Sequence, residues 1–277
     1  MRTASRNVGA MDPKRWRTLA LAAMIAAAPL SARAACDGKA GEAGAVKLSV
    51  GSVQRTALVR LPAGYDARAP RPVVLVFHGF TMNAHLMESL LDVGAAWPEA
   101  IVVYPQGLDR RFEAWGPGAH PGWQISAGEL DDRDLRFVDG LLSWLRTNQC
   151  IDDKHVFAMG FSNGGYFSHL LGCERPNAIA AIAPAGGGLR CSPRTPRPVI
   201  ISHGTADALV SYEEAVAAAQ GWAKRNGCQS PPKSGAPGCS PAESCSEAPV
   251  VLCTHPSGHE YDESFTRAAI EFFKSRR

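Results

Sequence analysis

Gly160-Phe161-Ser162-Asn163-Gly164 is the stretch that decides the fold of this 277-residue chain. This G-x-S-x-G pattern follows His155–Met159, an apolar run typical of a strand, and precedes a segment with helical spacing that opens at Gly165. A sharp strand-to-helix turn needs glycine on both sides, because a side chain there would collide with neighbouring backbone. We therefore expect the Ser162 hydroxyl to project from the turn as a nucleophile, with the amides of the following helix aimed at developing negative charge.

Two polar residues later in the chain complete the pattern expected of a serine nucleophile. Serine is a weak nucleophile unless a histidine takes its proton and an acid orients that histidine. Asp207 and His259 each lie just past an apolar run, in the chain order serine, acid, histidine. His255 is the alternative base, but it precedes Pro256, so His259 is preferred. Packing, capping or surface roles are expected for the other candidates: Asp131, Asp132, Asp134, Asp262, His85, His120, His155, His169 and His203.

Attack on a carbonyl creates an oxyanion, which two backbone donors must stabilise. The amide of Asn163, directly after the nucleophile, is the first expected donor. The second is expected from His78-Gly79-Phe80-Thr81, which follows an early apolar run, with Phe80 preferred over Thr81. A simple strand-ending turn is the alternative explanation of His78-Gly79.

Apolar runs rich in β-branched residues alternate with segments of helical spacing. The predicted strands are Pro72–Phe77, Ile101–Tyr104, Val156–Met159, Ile179–Ile182, Val199–Ser202 and Val250–Cys253. The predicted helices are Ala84–Asp92, Leu135–Thr147, Gly165–Gly172, Tyr212–Arg225 and Ser264–Lys274. This alternation predicts an α/β fold with a mostly parallel central sheet flanked by helices, and Leu48–Leu61 is expected to form an antiparallel edge hairpin.

Two stretches interrupt the alternation. Asp109–Gly128 contains Trp115 and Trp123 among Gly, Pro and His, and is expected to be a long loop at the mouth of the site. The two tryptophans are predicted to line an aromatic acyl site, and packing of the loop onto the domain is the alternative. The proline-rich segment Gln229–Pro249 is expected to be an irregular excursion held by disulfides.

The N-terminal segment has the features of an export signal. Residues 1–34 combine a cationic flank, the apolar stretch Thr18–Leu30 and a small-residue site at Ala32-Arg33-Ala34. The apolar stretch is shorter than the ~20 residues that span a bilayer, so a membrane anchor is disfavoured. Six basic residues and one acid lie in this segment, so its removal changes the net charge from +3 to −2. A basic surface for nucleic acid is therefore not expected, and residues 35–277 are predicted to form one domain.

All eight cysteines lie after the predicted cleavage point, and an even number in an exported chain predicts disulfides. A zinc site is disfavoured because no two cysteines have the close spacing of metal-ligand pairs.

Motifs along most of the predicted domain together resemble the secreted α/β-hydrolase esterases that include polyhydroxybutyrate depolymerases and feruloyl esterases. The matching motifs are Val74-Leu75-Val76-Phe77-His78-Gly79, Val103-Tyr104-Pro105-Gln106-Gly107, Cys150-Ile151-Asp152, Gly160-Phe161-Ser162-Asn163-Gly164-Gly165, Ala181-Ile182-Ala183-Pro184, His203-Gly204-Thr205-Ala206-Asp207, Trp222 with Asn226-Gly227-Cys228, and Gly258-His259. Where many relatives follow the catalytic histidine with Trp-Pro, this chain has Glu260-Tyr261-Asp262.

The resemblance implies a secreted serine esterase that uses Ser162, Asp207 and His259 without a metal or an organic cofactor. The expected substrates are phenolic esters of plant cell walls, small or polymer-linked, with Thr81, Trp115 and Trp123 assigned to substrate binding. Hydrolysis of polyhydroxyalkanoate oligomers or of short-chain esters is the alternative. A serine peptidase and a non-catalytic binding protein on the same scaffold are further alternative functions. Neither a nucleic acid nor a membrane is expected as a partner.

Overall fold

The computed structural model describes residues 36–38, 41–113 and 116–277. The predicted export segment 1–34 and Trp115 lie outside the described residues. The division into an export segment and one domain therefore stays a prediction. Within the described ranges, no helix combines the length and the apolar character needed to cross a membrane.

In the described ranges, eleven strands form a large sheet and a short ribbon. The strands are β1 (Gly44–Val50), β2 (Val53–Arg60), β3 (Arg71–Phe77), β4 (Ile101–Pro105), β5 (Leu108–Arg110), β6 (His120–Gly122), β7 (Ile151–Phe161), β8 (Ala181–Ala185), β9 (Val199–Gly204), β10 (Gly238–Pro241) and β11 (Val250–His255). The main sheet has nine strands in the order β1-β2-β4-β3-β7-β8-β9-β11-β10. Its six central strands are parallel, whereas β1, β2 and β10 are antiparallel to their neighbours at the two edges. The predicted mostly parallel sheet of an α/β-hydrolase is confirmed.

Six α-helices of the described part of the chain cover the two faces of the sheet. They are α1 (Ala84–Leu90), α2 (Val93–Ala96), α3 (Arg133–Asn148), α4 (Asn163–Glu174), α5 (Tyr212–Arg225) and α6 (Glu263–Lys274). Val73, Leu75 and Phe77 of β3 pack in one core cluster with residues of α3, α4 and α5. Val74 and Val76, on the opposite face, pack with residues of α1, α2 and α6. The strand is apolar throughout because side chains alternate between two buried faces.

The edges of the sheet confirm one expectation and add one strand. The hairpin predicted in Leu48–Leu61 corresponds to β1 and β2. The sequence does not predict β10, because Gly238-Cys239-Ser240-Pro241 contains residues with low strand propensity. It forms because Cys239 lies directly opposite Cys253 of β11 and is bonded to it. The predicted irregular excursion therefore contains a strand that extends the sheet.

All eight cysteines form disulfides, as the even number predicted. The pairs are Cys36–Cys150, Cys173–Cys191, Cys228–Cys245 and Cys239–Cys253. The last two lie in and around the excursion, which they attach to the end of α5 and to β11. Such a set of disulfides is typical of proteins from oxidising compartments.

Candidate active site

Ser162 alone forms the turn between β7 and α4, and its backbone is strained. Its φ of 54° and ψ of −117° lie in a region that residues with a Cβ rarely adopt, and such strain concentrates at functional sites. A Cβ on Gly160 would lie 2.5 Å from the carbonyl oxygen of Gly164, and one on Gly164 would lie 2.2 Å from that of Phe77. Only glycine at both positions allows the turn to pack this closely.

The structure brings Ser162, His259 and Asp207 together at the carboxyl ends of the parallel strands. Nε2 of His259 lies 2.8 Å from Oγ of Ser162, and Nδ1 of the same ring lies 2.6 Å from Oδ2 of Asp207. Asp207 follows β9 and His259 follows β11. Loops after neighbouring parallel strands meet at one edge of a sheet, which explains how residues distant in sequence converge here.

Asp207 is held as a carboxylate by hydrogen bonds on both oxygens. The backbone amides of Leu209 and Val210 each donate to Oδ1 at 2.9 Å. Burial alone would raise the pKa of Asp207, but these amides and His259 lower it below its usual value. An ionised Asp207 accepts the Nδ1–H of His259 and so leaves Nε2 free to accept the serine proton.

His203 lies against Asp207 and has no exposed surface on its side chain. Its Nε2 donates to the carbonyl of Val210 at 2.8 Å and lies 3.3 Å from Oδ2 of Asp207. Burial lowers the pKa of His203, so the ring is neutral at pH 7. The packing role expected for this histidine is thus to brace the loop that carries Asp207.

The alternative acids have structural partners elsewhere. Asp134 is fully buried and forms an ion pair of 2.9 Å with Arg55. Asp132 accepts hydrogen bonds from the amide of Gly128 and from Gln124, and Asp262 caps the first turn of α6.

The loop after β3 reaches the nucleophile and is held by a buried histidine. A Cβ on Gly79 would lie 3.5 Å from Cβ of Ser162. Nδ1 of His78 donates to the carbonyl of Gly79 at 2.8 Å, and its Nε2 accepts from the amide of Gly107 at 2.9 Å. Burial lowers the pKa of His78 to about 4, so the neutral ring that makes these two hydrogen bonds is the form present at pH 7.

Two of the three candidate oxyanion donors lie at the site. Phe80 and Asn163 both line a cavity beside Ser162, whereas Thr81 does not. The amide of Thr81 donates to the carbonyl of Pro121 at 3.0 Å, so it is already engaged. Thr81 also has an exposed side chain that does not line this cavity, contrary to its expected role in substrate binding.

The cavity has a volume of about 250 Å³ and mostly apolar walls. Its apolar lining residues are Phe80, Phe112, Ile125, Tyr166, Leu209 and Val210. Arg190 and Glu214 add charged groups. Most of these lining residues are not predicted by the sequence. Tyr166 could have been found, because it lies one helical turn after Ser162 on α4 and residues four apart share a helix face.

Trp123 does not lie at the mouth of the site, where the sequence predicts it. It has no exposed surface, stacks on Phe167 at 5.3 Å between ring centroids and meets the edge of Phe77 at 5.2 Å. Its Nε1–H donates to the carbonyl of His78 at 2.9 Å. Trp123 therefore packs beneath the loop after β3 instead of lining the cavity, while Trp115 lies outside the described residues.

Among the described residues of this stretch, Phe112 contributes an aromatic ring to the cavity wall. The guanidinium of Arg110 lies 3.5 Å from the centroid of the Phe112 ring, and Phe80 packs edge to face with that ring at 4.9 Å between centroids. Arg110 is buried and bonded to the carbonyl of Trp123 and to Glu129. The buried guanidinium of Arg110 therefore helps to hold the Phe112 ring in position.

Comparisons with known proteins agree with this geometry. Feruloyl esterase B of Piromyces equi is 29% identical over 232 residues, a match that covers 74% of this chain and only 42% of that protein. Feruloyl esterase C of Emericella nidulans is 28% identical over 222 residues, covering 74% of this chain and 76% of that protein. The solved acetyl xylan esterase from Aspergillus awamori has a TM-score of 0.63 at 14% identity and covers 83% of this chain and 99% of its own. That structural similarity shows a shared fold.

The family comparison is decisive for the class of protein. A family model described as "Putative esterase" matches residues 52–225, which is more than half of the chain. The matched range contains Ser162 and Asp207, and His259 lies beyond its end. The chain belongs to this Esterase family and is a carboxylic ester hydrolase with an α/β-hydrolase fold.

Proposed function

We propose that the chain is a secreted serine esterase that cleaves esters of hydroxycinnamic acids through an acyl-enzyme. The single observation that carries the catalytic part is the hydrogen-bonded series from Ser162 through His259 to Asp207, with distances of 2.8 and 2.6 Å. Such a series activates a serine hydroxyl at neutral pH.

In the first half of the reaction, Oγ of Ser162 attacks the ester carbonyl carbon while Nε2 of His259 takes the hydroxyl proton. The carbonyl oxygen becomes an oxyanion, which the amides of Phe80 and Asn163 stabilise. Asn163 is the first residue of α4, so the helix dipole adds to this effect. The tetrahedral intermediate then collapses, the bond to the alcohol oxygen breaks, and His259 gives its proton to the departing alcohol.

In the second half, His259 takes a proton from water as the water oxygen adds to the acyl carbon. Collapse of this second intermediate breaks the bond to Ser162, and the proton returns to Oγ. The products are a carboxylic acid and an alcohol, and the enzyme is regenerated without any cofactor.

The proposed acyl group follows from the cavity and from the relatives. Aromatic side chains, Phe80, Phe112 and Tyr166, border the space next to Ser162 and suit a flat acyl group. Two relatives with similar sequences over most of this chain are named feruloyl esterases. We therefore favour hydroxycinnamoyl esters, such as those of plant cell walls, over hydroxyalkanoate oligomers and short-chain esters.

Secretion is the second part of the proposal. Residues 1–34 have the composition of an export signal, and four disulfides are typical of proteins from an oxidising compartment. We propose cleavage near Ala35 and an extracellular or periplasmic mature enzyme. N-terminal sequencing of exported material tests this, and retention of Met1 would contradict it.

A substrate panel tests the activity. Wild type and Ser162→Ala are compared on methyl ferulate, on 4-nitrophenyl esters from acetate to octanoate, and on hydroxybutyrate oligomers. We expect wild type to cleave methyl ferulate and Ser162→Ala to leave it intact. Preference for 4-nitrophenyl acetate without release of ferulate would overturn the substrate assignment, and full turnover by Ser162→Ala would overturn the mechanism. Absence of covalent labelling by a fluorophosphonate would favour a binding protein, and cleavage of matched amides would favour a peptidase.

A further inference from the structure

A polar cluster lies in the wall of the otherwise apolar cavity. Glu214 of α5 accepts a hydrogen bond of 2.6 Å from the hydroxyl of Tyr166 and one of 2.8 Å from Nη2 of Arg190. The guanidinium of Arg190 also lies 5.2 Å from the centroid of the Tyr166 ring. All three residues line the cavity that contains Ser162. The catalytic steps above use none of them.

The backbone around the cluster is shaped to admit the Glu214 carboxylate. A Cβ on Gly188 would lie 2.1 Å from Oε2 of Glu214 and 3.1 Å from the Tyr166 ring. Any other residue at position 188 would therefore displace the carboxylate from its place beside the hydroxyl of Tyr166.

The cluster keeps hydrogen-bonding capacity for a ligand. A carboxylate has about four lone-pair sites, and Tyr166 and Arg190 occupy two of those on Glu214. Of the N–H groups of Arg190, only those on Nη2 have a protein acceptor within the described part of the chain. The Arg190 side chain is 44% exposed and that of Glu214 is 28% exposed, so both can be reached by a bound molecule.

The charge of the cluster selects the chemistry of that molecule. Glu214 and Arg190 neutralise each other, so the cluster has no excess positive charge to offset a carboxylate taken from water into apolar surroundings. A neutral hydroxyl fits better, since it donates to Glu214 and accepts from Arg190 at once. A phenol carries such a hydroxyl at the edge of a flat apolar ring, which Phe80 and Phe112 can contact.

We propose that Arg190 and Glu214 form a subsite that binds the phenolic hydroxyl of the acyl group, with Tyr166 fixing the Glu214 carboxylate. This inference rests on the proposed function, because it assigns the far end of the acyl group of that substrate. It predicts selection for a ring hydroxyl in preference to an unsubstituted ring or a ring carboxylate.

The test compares kcat/KM for methyl 4-hydroxycinnamate, methyl cinnamate and methyl 4-carboxycinnamate. Hydrogen bonds to charged groups are strong enough that wild type should favour the hydroxylated ester over methyl cinnamate by about tenfold. The carboxylated ester should be the poorest of the three. In Glu214→Gln and in Arg190→Met, the preference for the hydroxyl should fall to about twofold or less. Tyr166→Phe should reduce it to a smaller extent.

Glu213→Gln is the matched control. It makes the same chemical change one residue away, where the carboxylate contacts Ser211 and does not line the cavity. This variant should keep the wild-type preference. Arg190→Met protects the test against misfolding, because the arginine is nearly half exposed.

The outcomes separate the two proposals. If wild type cleaves both methyl cinnamate and its hydroxylated form, and neither Glu214→Gln nor Arg190→Met changes their ratio, the subsite is wrong and the proposed function stands. If wild type cleaves 4-nitrophenyl acetate but none of the cinnamates, the proposed substrate and the subsite are both wrong. Calorimetric titration of Ser162→Ala with the two uncharged esters should show the same preference in affinity, without turnover.

Discussion

The side-chain amide of Asn163 is paired with both polar groups of the Trp123 backbone. Oδ1 of Asn163 accepts from the Trp123 amide at 2.7 Å, and Nδ2 donates to the Trp123 carbonyl at 2.9 Å. Because Asn163 is the first residue of α4, this pair connects the start of the helix to the segment beneath the loop after β3. The backbone amide of the same residue is a proposed oxyanion donor, so its side chain fixes the position of its own main chain.

Substitution of Asn163 tests this connection. In Asn163→Ala, the buried amide of Trp123 loses its partner, which costs about 1–3 kcal/mol, whereas the Trp123 carbonyl keeps the hydrogen bond from Arg110. We expect a lower free energy of unfolding and a kcat reduced at least about tenfold, because the oxyanion donor is less well fixed. Urea unfolding and steady-state kinetics measure the two effects. Wild-type kcat in a folded Asn163→Ala would show that the pairing has no catalytic consequence.

The buried histidines predict a loss of stability on mild acidification. Burial lowers the pKa of His78 from 6.5 to about 4 and that of His169 to about 3. The unfolded chain therefore binds protons that the folded chain does not, and stability is complete above pH 6.5 and declines as the pH falls toward 4. Each histidine contributes a slope of at most about 1.4 kcal/mol per pH unit.

The measurement is urea unfolding between pH 4 and 7. His78→Gln should be less stable than wild type at pH 7, because the hydrogen bonds with Gly79 and Gly107 are lost, and should show a smaller decline on acidification. His85→Gln, at an exposed position, should follow wild type. Equal slopes for His78→Gln and wild type would contradict the prediction.

The disulfide between β10 and β11 is predicted to affect activity as well as stability. Cys253 lies on β11, the strand that leads into the His259 loop, and Cys239 is directly opposite it. Removal of a disulfide that closes a loop of this size costs about 3 kcal/mol. We expect the double variant Cys239→Ser/Cys253→Ser to lose stability and, below its unfolding transition, a measurable part of kcat.

Cys228→Ser/Cys245→Ser is the comparison for that variant. Cys228 and Cys245 are 17 residues apart in sequence, close to the 14 residues between Cys239 and Cys253, so the loss of stability should be similar. Neither of its cysteines lies on β11, and kcat should stay near that of wild type. Equal losses of kcat in the two double variants would refute a specific effect on the His259 loop.

Much of the site could be predicted from sequence because it depends on local pattern. Ser162 is marked by its flanking glycines, and Asp207 and His259 follow apolar runs in the expected order. Parallel strands bring such loop residues to one edge of the sheet, so order along the chain carries information about proximity in space.

The wall of the cavity could not be predicted, because it depends on contacts between distant segments. Trp123 and Phe112 lie in one irregular stretch, and nothing local says which of them is buried; packing against Phe167 of α4 decides it. Arg190 and Glu214 likewise come from a loop after β8 and from α5, and only the tertiary fold brings them to the same cavity.

The different positions of Phe112 and Trp123 predict different consequences of substitution. Phe112→Ala removes an apolar wall that is only partly buried, so we expect an increase in KM for methyl ferulate of about tenfold with little change in stability. Trp123→Ala empties a fully buried site and should cost about 3–5 kcal/mol of the free energy of unfolding. Kinetics and thermal unfolding of the two variants check this. A stable Trp123→Ala with a raised KM would show that the tryptophan contacts substrate after all.

The strain at Ser162 predicts that a glycine at this position gives a more stable fold than an alanine, although both substitutions abolish activity. Backbone conformations of this kind cost about 1–3 kcal/mol for a residue with a Cβ, whereas glycine adopts them freely. Ser162→Gly loses about 0.5–1 kcal/mol through the greater freedom of the unfolded chain, so it should be about 1 kcal/mol more stable than Ser162→Ala. Both variants lack the hydroxyl and the hydrogen bond with His259, which makes alanine the matched reference. Urea unfolding of the two proteins side by side is the measurement: if Ser162→Ala is as stable as Ser162→Gly, the backbone strain at position 162 is no larger than the entropic cost of glycine, about 0.5–1 kcal/mol, and the prediction is wrong.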